Sequence, residues 1–314
     1  LSRPGAWRGA ALAVVVALGV AACSGVGRSS PAATGPSPDP GAIRVVATTT
    51  VLADLVANVG GTAMAVSSLV PRGGEVHTFD PTPSDIRRVA EADVIVMNGL
   101  GLDDWLGDLV ADAGSTATVV ALGEDLEGVE YIAGGDDGHE GEAVNPHLWM
   151  DVAYAAKYVE RIVDALATAD PAGAAGYRAA GDAYRAQLAE LDAWVRDSLA
   201  AIPAADRNVV SFHDAFPYYA RAYGLTVVDT VVDAPGQDPS AGALADLIAV
   251  IRANDIGAIL SEAQFSPELV TTIADETGAT VVSDLYTDSL GEAPADTFVG
   301  IIRWDTERIL EALR

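Results

Sequence analysis

From Ile43 onward the chain alternates short β-branched runs with amphipathic helical stretches, and it does so twice. "IRVVATT", "AVSSLV", "DVIVMNG" and "TVVAL" fall in the first half; "NVVSF", "TVVDTV", "GAILSE" and "ATVVSD" fall in the second. Strands separated by helices pair in parallel, with the helices packed on the sheet faces. Between the two sets lies a longer helical stretch. Asp170 is placed to cap it and Pro171 to fill its first turn, while Tyr177, Tyr184 and Leu191 recur every seven residues and Ala180, Val195 and Leu199 extend the same face. This helix is expected to end near Pro203 and to run roughly 45 Å at ~1.5 Å per residue. The expected fold class is therefore α/β: two parallel-sheet lobes joined by one long backbone helix. At 314 residues each lobe is large enough to bury its own core.

The first 23 residues stand outside this pattern. Arg3 and Arg8 make a basic segment, "GAALAVVVALGV" an apolar one, and small residues lead to Cys23. This is the order of an export signal. Cys23 is the only cysteine, so no intramolecular disulfide forms. A tether rich in Ser, Gly and Pro follows, too poor in large apolar residues to fold. The expected divisions are a signal over 1–23, a flexible linker over 24–42, a first lobe over 43–169, the linking helix over 170–203 and a second lobe over 204–314. Within the first lobe, residues 123–145 form an acidic loop, with eight Asp and Glu between Glu124 and Glu142, and it contains His139. That histidine is a candidate for weak metal recruitment.

Charge excludes one class of partner. Lys and Arg number 18 against 45 Asp and Glu, a net charge of −27, and a nucleic-acid surface needs basic patches. The signatures GxxxxGK[ST], HExxH and GxSxG are absent, which removes the commonest ATPase, zinc-protease and serine-hydrolase readings.

The chain has four histidines. His77 lies in "GGEVHTFDPTPSDI", His147 in "NPHLWMD" and His213 in "SFHDAFPYYARAYGL"; Asp288 lies in "YTDSLG". His77, His213 and Asp288 follow expected strands, where open α/β sheets bind ligands. The gaps between the four exceed any local metal motif, so spacing alone leaves a structural role for each histidine open. The quoted blocks, with "VVATTTVLADLVANVGG" and "SEAQFSPELV", occur in the order found in the zinc- and manganese-specific substrate-binding lipoproteins of ABC transporters, which the chain resembles from Ile43 to its C-terminus. "GVAAC" likewise resembles a lipobox, which implies lipidation of Cys23.

The resemblance implies a protein that is no enzyme: an extracytoplasmic, lipid-anchored monomer that passes a metal ion to a permease served by a separate ATPase subunit. It implies His77 and His147 as ligands from the first lobe, and His213 and Asp288 from the second. Three imidazoles and one carboxylate suit Zn²⁺ and close its coordination sphere, as a carrier needs and a hydrolase does not. Protons are expected to compete with the metal below about pH 6. Glu262, and likewise Asp214 and Asp80, are candidates for carboxylates that orient a ligating histidine from behind. Asp85 reads as an acid favourable to the start of a helix. Manganese-selective members of this family present a carboxylate where this chain has His213, so the resemblance favours zinc; manganese, or mixed use, is the alternative. A metal-stabilised surface adhesin is a second alternative, from a different class.

Overall fold

The computed structural model describes residues 41–134, 144–232, 239–254, 256–265 and 267–314. Cys23, the leader, most of the 24–42 linker and His139 lie outside them. In the first lobe, β1 (Ile43–Ala47), α1 (Thr50–Gly60), β2 (Met64–Ser68), α2 (Pro83–Ala90), β3 (Val94–Met97), α3 (Trp105–Ala113) and β4 (Thr118–Ala121) follow one another. Helices α4 (Val152–Ala169) and α5 (Ala174–Ala200) come next. The second lobe contains β5 (Asn208–Ser211), α6 (Pro217–Tyr223), β6 (Thr226–Thr230), α7 (Ala241–Ala253), β7 (Ala258–Glu262), α8 (Pro267–Thr277), β8 (Thr280–Leu285) and α9 (Phe298–Ala312). The pairs among these strands are parallel, in the orders β2-β1-β3-β4 and β6-β5-β7-β8. The second sheet repeats the topology of the first.

Strand residues alternate between two cores because successive side chains leave opposite faces of a sheet. Val45 and Ala47 of β1, Val94 and Val96 of β3, Val209 of β5 and Leu260 of β7 all enter one central cluster. Their neighbours turn outward: Val46 and Ile95 pack with Val89, Leu106 and Leu109 from α2 and α3. Val210 and Ile259 pack with Leu247, Ile251, Val270 and Ile273 from α7 and α8. The central cluster runs through α1, α4, α5, α6 and α9, so apolar packing is continuous from one lobe to the other.

Helix α5 has 27 residues, about 40 Å at ~1.5 Å per residue, and is the long helix expected. It buries Tyr177, Gly181, Tyr184, Leu188, Leu191, Val195 and Leu199. Its start differs from expectation. Asp170 closes α4 and turns its carboxylate to Tyr177 Oη (2.7 Å) and the Ala172 amide (3.1 Å); Gly173 takes the cap of α5. Asp170 holds the turn 171–173 through the Ala172 amide and anchors Tyr177 in the first turn beyond it, and the helix begins at Ala174.

In each sheet the strand order reverses beside the first strand of the lobe, at β1/β3 and at β5/β7. These are switch points, where a crevice opens beyond the carboxyl ends of the strands. The loops after β2, β4, β5 and β8 leave from those ends.

Candidate metal centre

Four loops bring four side chains to one point. His77 comes from the loop between β2 and α2, and His147 from the turn just before Leu148–Met150 and α4. His213 stands two residues beyond β5, and Asp288 three beyond β8. Their donor atoms all lie within 4.8 Å of one another. His147, His213 and Asp288 are buried, whereas the His77 side chain keeps 17 % of its surface exposed, the open edge of the cluster.

The separations within the cluster are informative. His147 Nε2 is 3.4 Å from Asp288 Oδ1 and 3.4 Å from His213 Nε2, while Asp288 Oδ2 is 3.5 Å from His77 Nε2 and 3.6 Å from His213 Nε2. These are too long for good hydrogen bonds. Both Asp288 oxygens and His77 Nε2 are buried with no hydrogen-bond partner in the protein. A tetrahedral ion with bonds of ~2.05 Å holds its ligands about 3.3 Å apart, close to the spacing seen. The arrangement leaves room for a cation between lone pairs that otherwise face one another unpaired.

Two groups orient the rings from behind. Glu262, the last residue of β7, is fully buried and places Oε1 2.7 Å from His213 Nδ1. This aims Nε2 of His213 at the cluster. Asn145 does the corresponding work for His147, with Oδ1 3.1 Å from both its backbone nitrogen and its Nδ1. Asn145 was not legible as a site residue, because an asparagine before Pro146 reads as turn chemistry. Asp214 engages Asn145. Its backbone oxygen and carboxylate accept Asn145 Nδ2 at 2.7 and 2.9 Å, which sets it behind the residue that holds His147. Asp80 is exposed. Asp85 completes a capping box with Thr82 at the start of α2.

The charges follow from this packing. Burial pulls the His147 pKa down to about 4 against the attraction of Asp288. Burial acts on His213 in the same direction, but the Glu262 carboxylate, with Asp288 and Glu75, lifts it to about 9. Burial alone would raise Asp288; the surrounding imidazoles, His147 foremost, hold it well below the usual carboxylate range.

A seam of hydrogen bonds joins the lobes beside Asp288. Ser289 Oγ accepts the Gly73 amide at 2.7 Å and lies 3.2 Å from Thr50 Oγ1, which in turn accepts the Leu290 amide at 2.8 Å. Arg72 donates to the Gly291 carbonyl, and Asp54 Oδ2 accepts the Phe298 amide at 2.9 Å. Trp149 Nε1 donates to the Thr287 carbonyl at 3.0 Å. Loops carrying His77 and His147 are thereby tied to the loop carrying Asp288.

Comparison with known proteins agrees with a metal-binding role. Residues 45–312 match the family described as ZnuA, zinc-uptake complex component A, periplasmic. The manganese-binding lipoprotein MntA of Halalkalibacterium halodurans is 30% identical over 282 residues, 89% of this chain and 91% of that one. The iron-binding protein YfeA of Yersinia pestis is 31% identical over 304 residues, 96% of this chain and 95% of that one. Among solved structures, the periplasmic zinc-binding protein TroA of Treponema pallidum superposes with a TM-score of 0.78 at 27% identity, covering 87% of this chain and 99% of that one.

Proposed function

The chain belongs to the zinc-uptake complex component A family, and on that premise we propose that it captures Zn²⁺ outside the cytoplasmic membrane and hands it to an ABC permease. It is a metal-binding transport component rather than an enzyme. His77, His147, His213 and Asp288 are the proposed ligands, two from each lobe. One observation carries the reading: four donors from both lobes stand 3.4–3.6 Å apart along their shortest edges, too far for good hydrogen bonds. That spacing supports a small tetrahedral ion, and three imidazoles favour zinc over manganese in the general affinity order.

Manganese is the second reading, favoured by the 30% identity to a manganese-binding lipoprotein. Anchoring through a lipid on Cys23, action as a monomer and a separate ATPase subunit belong to the proposal as well. Metal analysis of the purified protein, with competition between Zn²⁺ and Mn²⁺, tests the ion. About one equivalent of zinc is expected in the native chain and little in His213→Ala. Zinc retained in full by the variant would overturn the ligand assignment.

A further inference from the structure

Glu262 and Asn145 each have a ring to hold, but one carboxylate beside the cluster has no such task. Glu75 lies two residues before His77 in the loop between β2 and α2, and is half-buried. Its Oε1 accepts the His77 amide at 3.0 Å, which folds the side chain back toward the histidine. Its Oε2 is buried and has no hydrogen-bond partner in the protein. A carboxylate oxygen withdrawn from water without a partner is costly, and is tolerated where a cation compensates it. After burial, Asp288 and His77 act most strongly on Glu75, with His213 further down, so the carboxylate lies within the electrostatic reach of candidate ligands from both lobes. Arg72, the base in the same loop, instead donates to the Gly291 carbonyl.

Charge balance points the same way. A divalent ion held by three neutral imidazoles and one carboxylate keeps a single positive charge in a buried site. Glu262 offsets part of that charge from behind His213, and a carboxylate on the ion itself offsets it at closer range. Oxygen donors beyond four suit manganese, which prefers more and harder ligands than zinc.

We propose that Glu75 is an additional oxygen donor of this centre, closing on the bound ion through Oε2 and extending its range from zinc to manganese. The inference rests on the four-ligand reading above. His77 is the most exposed of the four proposed ligands, and the Glu75 carboxylate is held beside it by the bond to the His77 amide.

The test is competitive titration of metal-stripped full-length protein with ZnCl₂ and MnCl₂, comparing native chain, Glu75→Gln and His147→Ala. Glutamine can still accept the His77 amide, so the loop is preserved. An unchanged melting temperature of the metal-free variant checks this. Glu75→Gln is expected to lose tenfold or more in Mn²⁺ affinity and less than threefold in Zn²⁺ affinity, and Glu75→Asp to recover part of the loss. No change for either ion, or equal losses for both, overturns the proposal, since equal losses mark a distant charge rather than a donor. Full metal binding by His147→Ala overturns the four-ligand reading instead, whatever Glu75→Gln does.

Discussion

Single side chains in this molecule are placed by what they face, and sequence position shows that unevenly. His77, His147, His213 and Asp288 are separated by long stretches of chain, so their convergence was legible only through motif resemblance. Glu262 was accessible to reasoning because it ends an apolar strand where a crevice must open. Asp214 looked equivalent, but the strand has ended and the chain turns at this point, and its carboxylate meets Asn145 instead. Asp305 gives a test at this scale. It is fully buried in α9, accepts the Tyr286 amide at 3.0 Å and keeps Oδ2 without a partner. Burial pushes its pKa well above the usual value; the Tyr286 amide opposes this, while the Glu262 and Asp284 charges add to it. The native state therefore holds a proton that the unfolded chain releases above its own pKa of about 4. Stability from this group is present below that pH and is lost as pH rises toward the folded value, by about 1.4 kcal/mol for every tenfold difference between the folded and unfolded acid constants. Asp305→Asn, which keeps the Tyr286 bond, is expected to be more stable than the native chain at pH 8 and to lose that advantage below about pH 4. Urea denaturation across that range checks it, and a constant difference would sink the account.

At the scale of elements, the strands were readable from their β-branched runs, since parallel strands buried on both faces read as continuous apolar sequence. The start of the long helix was not, because Asp170 has the chemistry of a cap but holds a turn ahead of the helix, sharing its carboxylate between the Ala172 amide and Tyr177. The seam between the lobes had no sequence signal at all. Thr50, Gly73, Ser289 and Leu290 are ordinary residues until the fold sets them opposite one another. Their position suggests a role in release: these bonds tie the segment after Asp288 to the segment before His77 and so oppose separation of the proposed ligands. Ser289→Ala removes the acceptor for the Gly73 amide and a partner of Thr50. Two neutral hydrogen bonds contribute roughly 1 kcal/mol each, so the rate of metal loss is expected to rise by up to about thirtyfold. Stopped-flow mixing of the loaded protein with excess chelator measures this rate. An unchanged rate would mean that the lobes separate elsewhere.

For the whole molecule the question is what the metal holds together. The two sheets share one apolar cluster that crosses α4 and α5, and this cluster contains none of the proposed ligands. Burial on that scale is the main favourable contribution to folding and needs no ion. The ligands, by contrast, come from loops of both lobes, so metal binding adds a cross-link at the rim of a structure already folded. Binding to the native state alone stabilises by an amount set by mass action, roughly 4 kcal/mol at a thousandfold excess over Kd. Chelation is therefore expected to lower the melting temperature by several degrees while leaving the far-ultraviolet circular dichroism at 25 °C unchanged, and added Zn²⁺ is expected to restore the original melting temperature. His147→Ala, with a ligand removed from the first lobe, is expected to melt near the metal-free native chain and to gain nothing from zinc. A metal-stabilised adhesin predicts otherwise: its ion is part of the fold, and stripping it unfolds the chain at room temperature. Loss of secondary structure on chelation alone would favour that reading over transport, because a carrier must stay folded when it has given up its cargo.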